Sequence, residues 1–208
     1  MNEEKVPYES TRPPQLVEKL KQEESSQDKK INWKEIVKEI LILLFIVFGV
    51  VMPFRMYVAE PYLVDGTSMD PTFESGNYLI VDKISSSAKS PARNSVVVFK
   101  YPNNPSKNFI KRIIGLPGET VIVKGETVTI INTENPQGFK LDQSYVVHKS
   151  TQDVEKKLGE TEYFVMGDNR KDSFDSRYWG PLDKKYILGR PIIQLLPISD
   201  IEIMPGNI

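Results

Sequence analysis

Apolar and polar positions divide the chain into three stretches. Residues 1–30 are rich in Lys, Glu, Gln, Ser and Pro, with few large apolar side chains. Such a segment buries too little surface to offset the entropy of ordering, so a disordered tail is expected. Ile40–Phe54 is uncharged and almost wholly apolar. As a helix this run rises only ~22 Å, but extension to Ile36–Met56 gives ~32 Å, enough for a ~30 Å hydrocarbon core if Lys38, Glu39 and Arg55 reach the head groups. Trp33 and Tyr57 then fall at the two interfaces, where such rings are favoured. A cleavable signal peptide fits poorly, because nearly forty residues precede the run and a normal n-region is far shorter. A buried core helix is the other reading of so short a strict run. Pro53 is tolerable near the end of a span, where it kinks or terminates the helix.

Beyond residue 58 the pattern is that of strands. Tyr78–Val81, Ser95–Phe99, Phe109–Ile114, Glu119–Val123, Glu126–Ile131, Glu162–Met166 and Ile192–Leu196 are short, β-branched or aromatic, and bounded by turn residues. Lys124-Gly125 reads as a hairpin turn. No long amphipathic helical pattern follows the apolar run, so the domain is expected to be mostly β. Residues 132–160 are polar and irregular and read as an excursion from the core.

Charge gives the chain a direction. Lys29, Lys30, Lys34 and Lys38 crowd the N-terminal flank of the apolar run, against Arg55 alone before Lys83 on the other side. The positive-inside bias places the N-terminus in the cytoplasm and residues 59–208 outside. The expected organisation is a disordered cytoplasmic tail (1–30), a transmembrane anchor (31–58) and an extracytoplasmic β domain (59–208) with an insertion at about 117–160. A formal net charge of −1 gives no electrostatic footprint for nucleic acid.

Composition narrows the chemistry. The chain has no cysteine, which excludes a thiol nucleophile, a disulfide framework and a thiolate metal site. Its one histidine, His148, lies in a polar stretch without motif context and is expected at the surface. No metal or cofactor is expected. Three segments remain. Gly66-Thr67-Ser68-Met69-Asp70-Pro71-Thr72 places a serine in a polar loop after the strand-like Pro61–Val64. Lys111 sits within an apolar strand pattern, followed by Gly115-Leu116-Pro117-Gly118. Gly167–Gly180 is a polar loop with hydroxyls and paired Asp and Arg residues. Each has an ordinary reading as well: a turn serine, a solvent-facing strand lysine, an Asx-rich surface loop. A serine hydroxyl needs a base to become a nucleophile, and lysines and carboxylates are the remaining candidates.

Taken in order, Ser68-Met69-Asp70-Pro71-Thr72, Lys111-Arg112 with Gly115-Leu116-Pro117-Gly118, and Gly167-Asp168-Asn169-Arg170 with Ser173 and Asp175-Ser176-Arg177 resemble the boxes of bacterial type I signal peptidases. The resemblance covers about residues 35–200 and extends to the anchor; the single-anchor form is similar to that typical of Gram-positive bacteria. It implies a complex β fold with a LexA-like Ser/Lys core and a β insertion. It implies a membrane-anchored serine endopeptidase of the cell membrane, single-pass, that cleaves signal peptides from exported precursors, with the lipid bilayer and the export machinery as partners and no cofactor. By the same resemblance Ser68 is the nucleophile, Lys111 the general base, and Ser173 the group that hydrogen-bonds the Lys111 amine. Asp168 would pair with Arg112, and Asp175 with Arg177. The Ser68 N–H would donate to the oxyanion. Gly66 stands where some members add a serine hydroxyl, which leaves the second donor open. Glu119 stands where Asp is common, and Asn94-Ser95 where Gly-Asp is common.

Physical chemistry sets one condition on this pair. A lysine with a free pKa of ~10.4 is almost fully charged at pH 8, and burial among apolar groups must lower that value. Ile110, Ile113 and Phe109 are suitable neighbours. Pro61 and Leu63 on one strand and Phe109 and Ile110 on another are candidates for holding an extended peptide by β-augmentation. The competing readings are a self-cleaving Ser/Lys regulator and an inactive anchored binding module.

Overall fold

The apolar run is helical. In the computed structural model, which describes residues 18, 32–57, 59–84 and 90–206, α1 (Trp33–Ile46) passes through a π-helical turn (Val47–Val51) into α2 (Met52–Tyr57). Pro53 accounts for the widened turn. It has no N–H to donate four residues back and its ring crowds that carbonyl; a π turn relieves both. Trp33–Phe54 contains 22 residues, of which an 18-residue stretch has a mean hydropathy of 2.5 and is unburied. At helical rise that is ~33 Å, long enough to cross a bilayer. The tail expected over 1–30 lies outside the described residues, Glu18 excepted.

Contacts divide the chain into Met1–Gly49 and Val50–Ile208, and every described strand belongs to the second unit. These are β1 (Ala59–Leu63), β2 (Tyr78–Asp82), β3 (Val96–Tyr101), β4 (Asn104–Gly115), β5 (Thr120–Lys124), β6 (Thr127–Ile131), β7 (Phe139–Lys140), β8 (Val154–Lys157), β9 (Glu162–Met166), β10 (Leu182–Asp183), β11 (Ile187–Leu196) and β12 (Glu202–Ile203). The longest described helix in this unit after α2 is one turn, α3 (Ser176–Trp179). One sheet runs β1-β2-β11-β3-β4-β9-β10, with β12 on β11; the other runs β7-β6-β5-β8. The domain is mostly β, as expected.

Side-chain alternation explains the smaller sheet. Val121 and Val123 on β5 and Val128 and Ile130 on β6 face inward, where they meet Ile114, Leu141, Leu158, Phe164 and Met166. In the larger sheet Val96–Phe99 are buried without alternation, because β3 is covered on both faces. β7 and β8 fall inside the stretch expected to be irregular. They are too short for periodicity to reveal, and Val154-Glu155-Lys156-Lys157 is a strand only through its pairing with β5. β11 begins earlier than its apolar run. Pro191 cannot donate to a ladder, and the register with β2 shifts between Pro191 and Ile193, the kind of place where a strand accepts proline.

The two sheets meet closely at Gly115. A Cβ there would lie 2.3 Å from Val121 Cγ2 and 2.8 Å from Leu158 Cδ1. Gly115→Ala is therefore expected to lower unfolding free energy by ~1–3 kcal/mol through overpacking, read as a lower urea midpoint with an unchanged slope.

Candidate active site

The Ser68 loop is held by its own apolar residues. Met69 and Phe73 are buried with Val64, Leu79 and Val96, so the residue next to Ser68 is a core plug. Main-chain bonds from Asp70 to Thr67 O and from Phe73 to Met69 O close the turn. A second clamp comes from the 167–177 loop: Asn169 N donates to Ser68 O (3.1 Å), and Asn169 Nδ2 donates to Thr67 O (3.1 Å). Sequence reasoning gave Asn169 no role. It stands in the Gly-Asp-Asn-Arg motif, but its partners lie a hundred residues away in the chain.

Lys111 projects from β4 into this loop. Its Nζ donates to Ser68 Oγ at 2.5 Å and to the Ile110 carbonyl at 2.8 Å, and its side chain is 4% exposed. Burial pulls its pKa down to about 8, against Asp175 and Asp168, which raise it, and with Arg177, which lowers it further. If Lys111 acts as a base, its neutral form does the work. The kcat/KM is then expected to rise through pH about 8 and to level off above it, read from a pH–rate profile on one precursor. Linkage gives a second signature. Between pH about 8 and the unfolded value of ~10.4 the folded chain binds fewer protons than the unfolded one, so stability rises with pH across that window.

The hydrogen bond expected between Ser173 and the Lys111 amine is not made. Ser173 Oγ is buried without a partner, and the amine is directed at Ser68 and the Ile110 carbonyl. Ser173 nevertheless lies against the same turn. A Cβ on Gly167 would fall 2.3 Å from both Ser173 Oγ and the Ser68 carbonyl oxygen, so these groups close on one glycine. Among the described residues the Ser68 N–H makes no hydrogen bond. Gly66 has φ +100°, a conformation strained for other residues.

Beneath these loops lies a charged cluster. Arg112, 0% exposed, forms a forked pair with Asp168, Nε to Oδ1 at 2.8 Å and Nη2 to Oδ2 at 2.6 Å. Its Nη1 donates to the Asn94 and Gly206 carbonyls, and Thr72 Oγ1 donates to Asp168 Oδ2 at 2.6 Å. Asn94 has φ 65°, the left-handed region that glycine or asparagine favours; this explains why asparagine substitutes at a position where glycine is common. Arg177 forks onto Asp175 at 2.8 Å through both Nε and Nη2, and Asp175 Oδ2 accepts from Gly167 N. Glu119 accepts from Leu116 N, Arg93 and Asn132 and so fastens the Leu-Pro-Gly turn; these donors hold its carboxyl below the ordinary value despite burial. His148 is exposed. Among the described residues no group of His, Asp and Glu is arranged to hold a metal.

A cavity of about 520 Å³ opens over Ser68 and Lys111. Leu63, Gly66, Phe109 and Ile110 line it, with Leu79 and Val98 also on its wall. Pro61 does not line it; it lies two positions earlier, paired with Ile80, and Tyr62 borders the cavity in its place. β1 is an edge strand. β4 pairs with β9 only from Arg112 onward, so among the described residues its Asn104–Lys111 half has one unpaired edge.

The profile of the family described as signal peptidase, peptidase S26, matches residues 33–196. Signal peptidase I of Bacillus licheniformis is 36% identical, over 86% of this chain and 97% of its own. A probable signal peptidase I-2 of Synechocystis sp. is 32% identical, over 85% and 79%. Signal peptidase I V of Bacillus subtilis is 40% identical, over 62% and 80%.

Proposed function

Because the chain belongs to the signal peptidase family, peptidase S26, we propose that Ser68 is its nucleophile and Lys111 its general base. The protein is a membrane-anchored serine endopeptidase that removes signal peptides from precursor proteins. Neutral Lys111 takes the Ser68 proton as Oγ attacks the scissile carbonyl carbon. The Ser68 N–H donates to the oxyanion, and the turn at Gly66 leaves its backbone at the cavity wall. Collapse breaks the C–N bond, and Lys111 returns the proton to the leaving amine. Lys111 then deprotonates water, which attacks the ester and restores Ser68. Ser173 serves the amine while Ser68 Oγ is acylated and no longer available to it. Asp168, Arg112, Asp175 and Arg177 hold the loops and do not touch substrate.

The observation that carries this reading is the 2.5 Å contact between a serine hydroxyl and a buried amine at the wall of an open cavity. The substrate adds as an extended strand between β1 and the unpaired half of β4; Leu63, Phe109 and Ile110 contact its side chains. The apolar helix and the lysines before it support the further proposal of a single-pass protein of the cell membrane with a cytoplasmic N-terminus, within reach of the export machinery. The test is covalent labelling of the full chain in detergent by a penem-type acylating inhibitor. Mass spectrometry is expected to find one acyl adduct, on Ser68, that disappears in Lys111→Ala. An adduct on another residue, or undiminished labelling of Lys111→Ala, would refute the assignment.

A further inference from the structure

The charged cluster under the catalytic loop does not balance. It contains the guanidiniums of Arg112, Arg170 and Arg177, and the carboxylates of Asp168 and Asp175. Arg112 takes Asp168 and Arg177 takes Asp175. Arg170 is 5% exposed and, among the described residues, makes no ion pair. Its Nε donates to the Gly167 carbonyl at 3.0 Å, its Nη1 to Gln143 Oε1, and its Nη2 to Tyr145 Oη at 3.5 Å. All three acceptors are neutral. Burial lowers its pKa, a sign of the strain on the charge, yet a guanidinium stays protonated in proteins. A buried charge without a counter-charge is a costly arrangement.

The surplus has an outlet. A second cavity, of about 270 Å³, lies behind the loop, and Arg170, Arg177, Gln143, Lys149 and Ser150 line it. Arg177 Nη1 makes no hydrogen bond among the described residues, and Arg170 Nη1 and Nη2 each keep one N–H without a partner. The one carboxylate on the lining, Glu126, is taken by Lys149 at 2.8 Å. Two guanidinium edges on one polar cavity are suited to the planar, multidentate recognition of an oxyanion. We propose that this cavity is an anion site, distinct from the peptide-binding cavity, that takes a phosphate group between Arg170 and Arg177. The phosphate is supplied either as the free ion or as a phospholipid head group. The bound anion completes the charge balance of the cluster and stiffens the loop whose Gly167 carbonyl Arg170 holds.

The experiment uses the full chain at fixed ionic strength, with chloride exchanged for inorganic phosphate in a zwitterionic detergent. A parallel arm uses phosphatidylcholine vesicles with and without phosphatidylglycerol. At ten times the dissociation constant, a single site is expected to raise Tm by roughly 3–6 °C, saturably. Saturation by phosphate assigns the free ion; saturation by phosphatidylglycerol alone assigns the head group. Gln143→Glu supplies the missing carboxylate from within the protein. It is expected to raise Tm without added anion and to abolish the response. Arg170→Gln is expected to abolish it as well, but that variant also removes the bond to the Gly167 carbonyl, so Gln143→Glu carries the decision. No response in either arm, a response equal for chloride, or an undiminished response in Gln143→Glu would overturn the proposal.

Discussion

Lys111→Met is expected to abolish precursor cleavage and, at pH 7, to make the folded chain more stable. The loss follows from the role proposed for the amine: without a base the Ser68 proton has no acceptor, and kcat/KM should fall by at least ~10³-fold. The gain follows from burial. Folding takes this amine from an ordinary lysine value to about 8, which corresponds to ~3 kcal/mol of stability forgone at neutral pH, where the folded chain must carry the charge buried. Methionine fills a similar volume without a charge, so roughly 1–3 kcal/mol should return. The gain should vanish above pH ~10, where the wild-type lysine is neutral in both states. Ser68→Ala is the companion variant. It should be as inactive but keep the rise in stability between pH 8 and 10. Residual cleavage by Lys111→Met would remove Lys111 from the chemistry, and a large loss of stability would mean that the charge is not what burial strains.

The second large effect falls on the fold. Arg112→Ala is expected to lower stability by ~3–5 kcal/mol, since it leaves Asp168 charged and buried. The change also frees the Asn94 and Gly206 carbonyls that Arg112 now holds. For a domain of this size the shift in Tm is roughly 6–20 °C. The double variant Arg112→Met/Asp168→Leu should recover much of the loss, because it removes both charges together. A shift under ~1 kcal/mol in Arg112→Ala, read from denaturant midpoints, would mean that the pair is not what holds these loops.

The chain announces its β character and its anchor locally, so both were legible. β5 and β6 alternate, the Ile40–Phe54 run has no charge, and the Gly-Leu-Pro-Gly turn closes where its residues indicate. The Ser68 and Lys111 pair was legible through motif order. β7, β8, β10 and β12 were not, because strands of two to four residues take their identity from a neighbour's edge. Arg170 was not legible as a surplus charge: in sequence it is one of several polar loop residues, and only the pairing of Arg112 and Arg177 with the aspartates leaves it over. Ser173 shows the reverse. The motif singled it out, but the structure gives its hydroxyl no partner and directs the amine at Ser68 and the Ile110 carbonyl.

Gly167 carries a bare hydrogen where the Ser68 carbonyl and the Ser173 hydroxyl converge. That absent methyl group sets the tolerance of the neighbourhood. Alanine, elsewhere the gentlest exchange for glycine, would wedge the turn that positions the alcohol away from the loop that carries Ser173. Gradual exploration of sequence is thus closed at a position that contacts no peptide, and a redesigner seeking new cleavage preferences must work around it, along the cavity walls.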